Sequence, residues 1–198
     1  MKKILFPALA LFAFGFANAQ DKKEAKSDSQ TSQGSWLIEA NTGFGTAAPA
    51  STGIYFSTTD GDTEYNVGVE GGYFVIDNLA VKVGLGYGGY SYDVPGPFGG
   101  TTSVNASAFS YKVGAKYYIM GMIPVAADYS GASGDGVETT GPLGNTETPS
   151  YLGLQAGYAW FLGRNVSIEP GVRYNMSLND QYAADDTIQV NIGFALHF

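Results

Sequence analysis

The sequence predicts an all-β fold, an eight-stranded antiparallel up-and-down transmembrane β-barrel, from three observations. From Ser35 to Phe198 apolar residues recur with a period of two, as they do in strands whose two faces meet different surroundings. Only 14% of the residues are charged, whereas 28 glycines, 14 tyrosines and 12 phenylalanines suit strands and turns better than helices. The connections between the alternating runs are by turns short and long. Tight turns on one side of a membrane and longer loops on the other are the pattern of a transmembrane barrel.

The 198 residues, 44% of them hydrophobic, are enough for one domain. Met1 to Ala19 carries Lys2 and Lys3, an apolar run from Ile4 to Phe16, and then Ala17-Asn18-Ala19, the small-residue pattern of a signal peptide cleaved before Gln20. That run is too short for a spanning helix, and no other segment approaches the roughly 18 consecutive apolar residues a helix would need. Membrane insertion is therefore expected through strands. The next segment, Gln20 to Gly34, is polar and free of aromatics, so it reads as a flexible periplasmic leader. The chain has no cysteine, which removes disulfides, thiolate metal sites and a lipoprotein anchor. With 18 acidic and 10 basic residues, two of the latter in the signal peptide, nucleic-acid binding through a basic patch is excluded.

The strands follow in order, each opposing an apolar face to one of small or polar residues. The first sets Trp36, Ile38, Ala40 and Phe44 against Leu37, Glu39, Asn41 and Gly43; the second sets Tyr65, Val67, Val69 and Tyr73 against Asn66, Gly68, Glu70 and Gly72. In the third, Val81, Val83, Leu85 and Tyr87 oppose Lys82, Gly84, Gly86 and Gly88. The fourth opposes Phe109, Tyr111, Val113 and Tyr117 to Ser110, Lys112, Gly114 and Lys116, and the fifth Ile123, Val125, Ala127 and Tyr129 to Pro124, Ala126 and Asp128. The sixth places Leu152, Leu154, Ala156, Tyr158 and Trp160 against Gly153, Gln155, Gly157 and Ala159. The seventh places Val166, Ile168, Val172, Tyr174 and Met176 against Ser167, Glu169, Gly171 and Arg173. The last, Thr187 to Phe198, alternates Ile188, Val190, Ile192, Phe194, Leu196 and Phe198 with Gln189, Asn191, Gly193, Ala195 and His197. Short turns are expected at Val75–Asn78, Ile119–Met122 and Leu162–Asn165, and an even strand count returns both termini to the periplasm.

Alternation alone also fits a lipocalin-like barrel or a β-sandwich. A water-facing surface would be charged throughout, however, and here the second face is mostly Gly, Ala, Ser and Asn with isolated charges, as suits a narrow interior. Aromatics gather at both strand ends, as in the girdles of membrane interfaces. The stretches GYFVIDNLAVKVGLGYG (Gly72–Gly88) and GYAWFLGRNVSIEPGVRY (Gly157–Tyr174), with the terminal strand ending in Phe198, resemble the small outer-membrane β-barrel family of OmpA/OmpX type over essentially Ser35 to Phe198. The resemblance implies a cell outer membrane location in a Gram-negative-type envelope, with outer-membrane lipid around the barrel. It further implies that Phe198 is part of the assembly signal read by the barrel-assembly machinery. It implies no activity, because members of the family serve structural, adhesive and enzymatic roles on one scaffold.

Strand parity turns Glu39, Glu70, Asp128, Glu169, Lys82, Lys112, Lys116 and Arg173 inward, four of each sign, and buried charges so balanced are expected to pair as an interior network. Arg173 is expected to neutralise Glu169 or Glu70. The competing readings are an ion path and, more remotely, paired carboxylates Glu39 and Glu70 for acid–base chemistry. His197, the sole histidine, stands next to the chain end and reads as structural, too far from the outer leaflet for a lipid-hydrolysing serine–histidine site. The glycines from Gly84 to Gly89 lie in strand-period sequence without a following helix, which argues against a phosphate loop. Ten carboxylates (Asp60, Asp62, Glu64, Asp93, Asp135, Glu138, Glu147, Asp180, Asp185 and Asp186) are expected in the outer loops with no basic neighbour, open to divalent cations or an extracellular partner. Asp60 to Glu64 resembles part of a calcium loop but lacks the rest of that motif. The expected function is structural or surface-interaction, without catalytic residues, cofactor or dedicated metal site. A narrow porin-like channel is the alternative, and a lipid-modifying enzyme is a distant third.

Overall fold

A computed structural model describes residues 29–45, 50–95, 100–140, 146–179 and 185–198. The expected signal peptide and its cleavage site, residues 20–28 of the leader, and Asp180 lie outside the described residues. The strands are β1 (Trp36–Gly45), β2 (Tyr55–Thr59), β3 (Asp62–Ile76), β4 (Leu79–Pro95), β5 (Thr101–Ile119), β6 (Ile123–Ser133), β7 (Thr139–Thr140), β8 (Thr146–Glu147), β9 (Ser150–Gly157), β10 (Trp160–Phe161), β11 (Val166–Ser177) and β12 (Thr187–His197). Eight of them, β1, β3, β4, β5, β6, β9, β11 and β12, close an antiparallel barrel. Each pairs with its neighbour in that order, and β1 closes the ring by pairing with β12 (Leu37 opposite His197) and with β3 (Trp36 opposite Tyr73).

The pleat sorts side chains as the period of two requires, but inside out relative to a soluble protein. Outward valines stay open, Val67 at 62% and Val113 at 49%, while inward Glu39 and Lys116 are each at 1%. Such a belt, continuous round the outside, is stable only against lipid, and the closed ring leaves no sheet edge in the hydrocarbon. Trp36 packs on Tyr73 with ring centroids 5.0 Å apart at the short-turn end, part of the expected aromatic girdle. The chain is a membrane-spanning β-barrel.

Two tight turns take left-handed backbone, at Asn78 and Gly121 where the residue favours it and at Met120 where it does not. Asn78 (φ +67°) joins β3 to β4, and Met120 with Gly121 (φ +54° and +74°) joins β5 to β6.

Three differences from expectation concern the strand ends. First, β4 and β5 run for 17 and 19 residues and pair as far as Pro95 opposite Thr101, so the expected long third connection is largely a protruding hairpin. A spanning strand needs about 9–11 residues. Above the membrane the apolar residues change parity, from Leu85 and Tyr87 to Tyr90, Tyr92 and Val94, so the alternation that marks a strand is broken although the strand continues.

Second, Asp60 and Gly61 (φ +52° and +95°) form a two-residue hairpin turn between β2 and β3. The segment compared with a calcium loop is therefore a β-hairpin, with Asp62 and Glu64 in the strand and Glu64 accepting a hydrogen bond from the Tyr55 hydroxyl at 2.8 Å. The Asp-Gly pair is itself a strong hairpin signal.

Third, the end of the expected flexible leader is held in place. Gln30 Nε2 donates to the Gly163 carbonyl (2.7 Å), the Thr31 hydroxyl to Asn78 Oδ1 (2.6 Å), and the Gln33 amide to Asp77 Oδ1 (2.8 Å). Ser29–Gly34 thus crosses the short-turn mouth from one turn to another. Backbone and amide hydrogen bonds fix it, which is why its lack of apolar residues misleads.

Candidate functional site in the barrel interior

Each of the eight predicted interior residues occupies an inward position on its strand: Glu39 on β1, Glu70 on β3, Lys82 on β4, Lys112 and Lys116 on β5, Asp128 on β6, Glu169 and Arg173 on β11. All eight are buried. Six join one chain of ion pairs, Lys112–Glu70 (2.6 Å), Glu70–Lys82 (2.8 Å), Lys82–Glu39 (2.7 Å), Glu39–Lys116 (2.7 Å) and Lys116–Glu169 (2.5 Å). This run crosses the lumen and carries three charges of each sign. Single buried ions are strongly destabilising; an alternating neutral chain in which every carboxylate has at least one cation is not.

Neutral groups complete the coordination. The Tyr118 hydroxyl donates to Glu169 Oε1 (2.8 Å), the Ser167 hydroxyl to the same oxygen (2.8 Å), Asn41 Nδ2 to Glu39 Oε1 (2.9 Å) and the Thr52 hydroxyl to Glu70 Oε1 (2.7 Å). Sequence parity had not singled out Tyr118, Ser167 or Thr52 as partners. Tyr118 and Ser167 do share the inward parity of Lys116 and Glu169 two residues away, and that was the available signal.

Arg173 departs from expectation. Its guanidinium pairs with Asp128, not with Glu169 or Glu70, through Nη1 to Oδ2 (2.7 Å) and Nη2 to Oδ1 (2.6 Å), while Nε donates to Asn175 Oδ1 (2.7 Å). The register explains it. β6 and β11 flank β9, Asp128 lies opposite Gly153, and a Cβ at Gly153 would overlap the guanidinium, so the two side chains meet over that glycine. Glu169, four residues away on the same strand, is displaced by about 13 Å and is held by Lys116. Glu70 already has two lysines.

Below the charges, toward the short turns, Leu37, Phe74, Ala80, Tyr118, Ala159 and Ala195 form an apolar layer with Phe161 packed against it. His197 belongs to this layer, 5.4 Å from Phe161 between ring centroids. Its Nδ1 lies 3.2 Å from the Gln30 carbonyl oxygen, which only accepts, so Nδ1 carries a proton. Its Nε2 is 3.0 Å from the Ser167 hydroxyl. Both side chains are buried beneath Ser29–Gly34, and the contact to Gln30 ties the histidine to that segment.

Above the charges, residues 50–53 fold inward between the barrel walls and fill the half of the lumen away from the short turns. Ala50 and Thr52 are fully buried, the Ser110 hydroxyl donates to the Ser51 carbonyl (2.6 Å), and Asn66 Nδ2 donates to the Gly53 carbonyl. Inward glycines make the room: a Cβ at Gly68 would overlap the Thr52 carbonyl, and one at Gly86 would press on that of Ser51. The sequence shows these glycines on neighbouring strands, but not that a loop comes back to occupy the space they leave. A polar cavity of about 30 Å³ remains beside this loop, lined by Asn41, Lys112, Gln155, Arg173 and Asn191 among others.

At the two rims, Phe198 exchanges backbone hydrogen bonds with Trp36, each 3.0 Å, and its ring points outward. On the far side the described acidic residues are mostly solvated. Asp186 accepts from the Tyr174 hydroxyl and from the Ser177 amide (2.8 Å), which together hold its carboxyl below the usual range. Beyond residue 28 the only basic residue outside the lumen is Arg164, at a short turn. Among the described residues no three metal-ligating side chains converge.

The chain matches no protein-family model and no curated protein. Among solved structures it is similar to the N-terminal β-barrel domain of Pseudomonas aeruginosa OprF (17% identity, 84% of this chain and 98% of that one, TM-score 0.46). It is also similar to Neisserial surface protein A (15%, 84% and 100%, TM-score 0.48) and to Escherichia coli outer membrane protein W (13%, 84% and 99%, TM-score 0.44). No activity is transferred from these proteins.

Proposed function

We propose that this is a closed, non-conducting barrel of a Gram-negative-type outer membrane whose role is structural and surface-presenting: it anchors its acidic outer hairpins and loops to the membrane. One observation carries this reading, the stacking of four fillings along the lumen. From the periplasmic side these are the Ser29–Gly34 cap, the apolar layer around Phe74 and Tyr118, the alternating ion chain, and the inward loop at residues 50–53. An ion following this axis would have to break paired charges and displace packed rings. Spanning barrels of this kind belong to outer membranes, and assembly there is assigned to the barrel-assembly machinery acting on the Phe198 end. The extracellular contacts would be to divalent cations or to a cationic partner, since the outer surface offers carboxylates without basic neighbours. Planar-bilayer recording of the purified protein tests the reading: negligible steady conductance is expected, and a steady open level in the native protein overturns it in favour of a narrow channel.

A further inference from the structure

We propose that residues 50–53 form a withdrawable strap, a gate that seals the outer half of the lumen and swings out to admit water as far as Glu70. The inference rests on the closed-lumen reading and concerns how that closure is made on one side.

The wall has a seam at this height. β1 pairs with β3 only from Trp36 opposite Tyr73 to Glu39 opposite Glu70, and β2 takes over on β3 from Tyr55 opposite Asn66. Between these registers β3 has no strand partner on that side, and the strap threads the gap, with the Ile54 amide donating to the Asn41 carbonyl at 2.6 Å. The strap continues through that one residue directly into the β2–β3 hairpin, so outward movement of the hairpin would draw it out.

Its attachment is of a kind that water can replace. Of the strap residues only Ala50 has an apolar hold, in a small cluster with Ala132 and Tyr151; Ser51, Thr52 and Gly53 offer almost no apolar area. Their anchors are hydrogen bonds from Ser110 and Asn66 and one from Thr52 to Glu70. When Thr52 leaves, Glu70 keeps both Lys82 and Lys112, so no charge is stranded. The slot left behind is lined by glycine backbone and amide side chains, with the Ala132–Tyr151 cluster at the Ala50 end, and opens onto the polar cavity beside Lys112 and Arg173. Opening the other end would instead expose Leu37, Phe74 and Tyr118, an apolar layer that water does not replace. The gate therefore works from the outside only.

The chain has no cysteine, so a single Thr52→Cys reports on the strap and a single Asn175→Cys on a wall position buried to the same degree, at 0% and 2% exposure. In folded protein in liposomes, a membrane-impermeant charged maleimide should label Thr52→Cys faster than Asn175→Cys by about tenfold or more, through local opening. Equal, negligible labelling of both, in protein that remains non-conducting, overturns the strap while leaving the closed barrel standing. Steady conductance of the native protein instead removes the reading on which the proposal rests. The native chain supplies a second measurement that does not depend on the variants folding. Hydrogen exchange at the Ile54 amide should outpace that at Lys112 in the β5 wall, and equal protection overturns the proposal.

Discussion

Arg173 and Asp128 form a two-toothed ion pair across β9, at 2.7 and 2.6 Å, with Gly153 beneath them. A buried guanidinium gripped in this way cannot be replaced by a point charge of the same sign, because the second hydrogen bond and the Nε contact to Asn175 both depend on the planar fork.

Arg173→Ala should therefore leave Asp128 buried without a cation, at a cost of about 3–5 kcal/mol if the site stays dry. Thermal unfolding followed by the heat-modifiable gel shift measures it. Adding Asp128→Asn should recover part of the loss, and the double-mutant cycle gives the coupling. A single mutant as stable as the parent would mean that lumen water already solvates the pair.

The two outer lysines of the ion chain should differ. Lys116→Met removes the one lysine paired with Glu169, whereas Lys112→Met leaves Glu70 still paired with Lys82. Lys116→Met is expected to cost about 3–5 kcal/mol and Lys112→Met clearly less, since only the first strands a buried carboxylate. Equal losses in denaturant unfolding would contradict the chain of pairs.

Gly68→Ala places a methyl where the Thr52 carbonyl lies. The methyl forces the strap off β3, so a loss of about 1–3 kcal/mol is expected, with increased protease cleavage near residues 50–53. Gly163→Ala is the control, since a Cβ there meets nothing within 4 Å. If both variants match the parent, the loop does not rest against β3.

Deleting Phe198 removes both backbone bonds to Trp36 and one ring of the aromatic girdle at the short-turn end. The folded, protease-resistant fraction in isolated membranes should fall well below that of a Gly163 deletion. A Gly134 deletion is a poorer control, because Gly134 has φ +138° and packs against the Ser107 carbonyl. Equal yields would mean that the terminal aromatic is dispensable for assembly.

Millimolar magnesium should raise the midpoint of thermal unfolding beyond the effect of sodium chloride at matched ionic strength, because divalent ions relieve repulsion among the outer carboxylates. Identical midpoints in the two salts would leave only general screening.

Much of this was legible in the residues. Parity placed Glu39, Glu70, Lys82, Lys112, Lys116, Asp128, Glu169 and Arg173 on one face, because a strand has only two faces and an apolar side chain at every second position leaves no other choice. The same rule named Val67, Val113 and Val190 as outward residues. It stopped working above the membrane, where the apolar residues change parity, from Leu85 and Tyr87 to Tyr90, Tyr92 and Val94 and from Phe109 and Tyr111 to Val104 and Ala106, while the strands run on in one register. Their pairing comes from the neighbouring strand, not from a local pattern.

By itself, then, the sequence determined the architecture, the direction of the side chains in the membrane-spanning runs and the neutrality of the interior, since all three depend on local period and composition. Which charge meets which was decided only by the tertiary structure. Strand stagger sets the height of each residue, so Arg173 found Asp128 over Gly153 and missed Glu169 on its own strand. The closures at the two ends were likewise tertiary. Ser29–Gly34 and residues 50–53 are polar and short of apolar area, and read alone they look like free chain. Each is ordered by partners far away in sequence, Asn78 and Gly163 for the first, Glu70 and Ser110 for the second, because the barrel brings those partners to its mouth and its lumen.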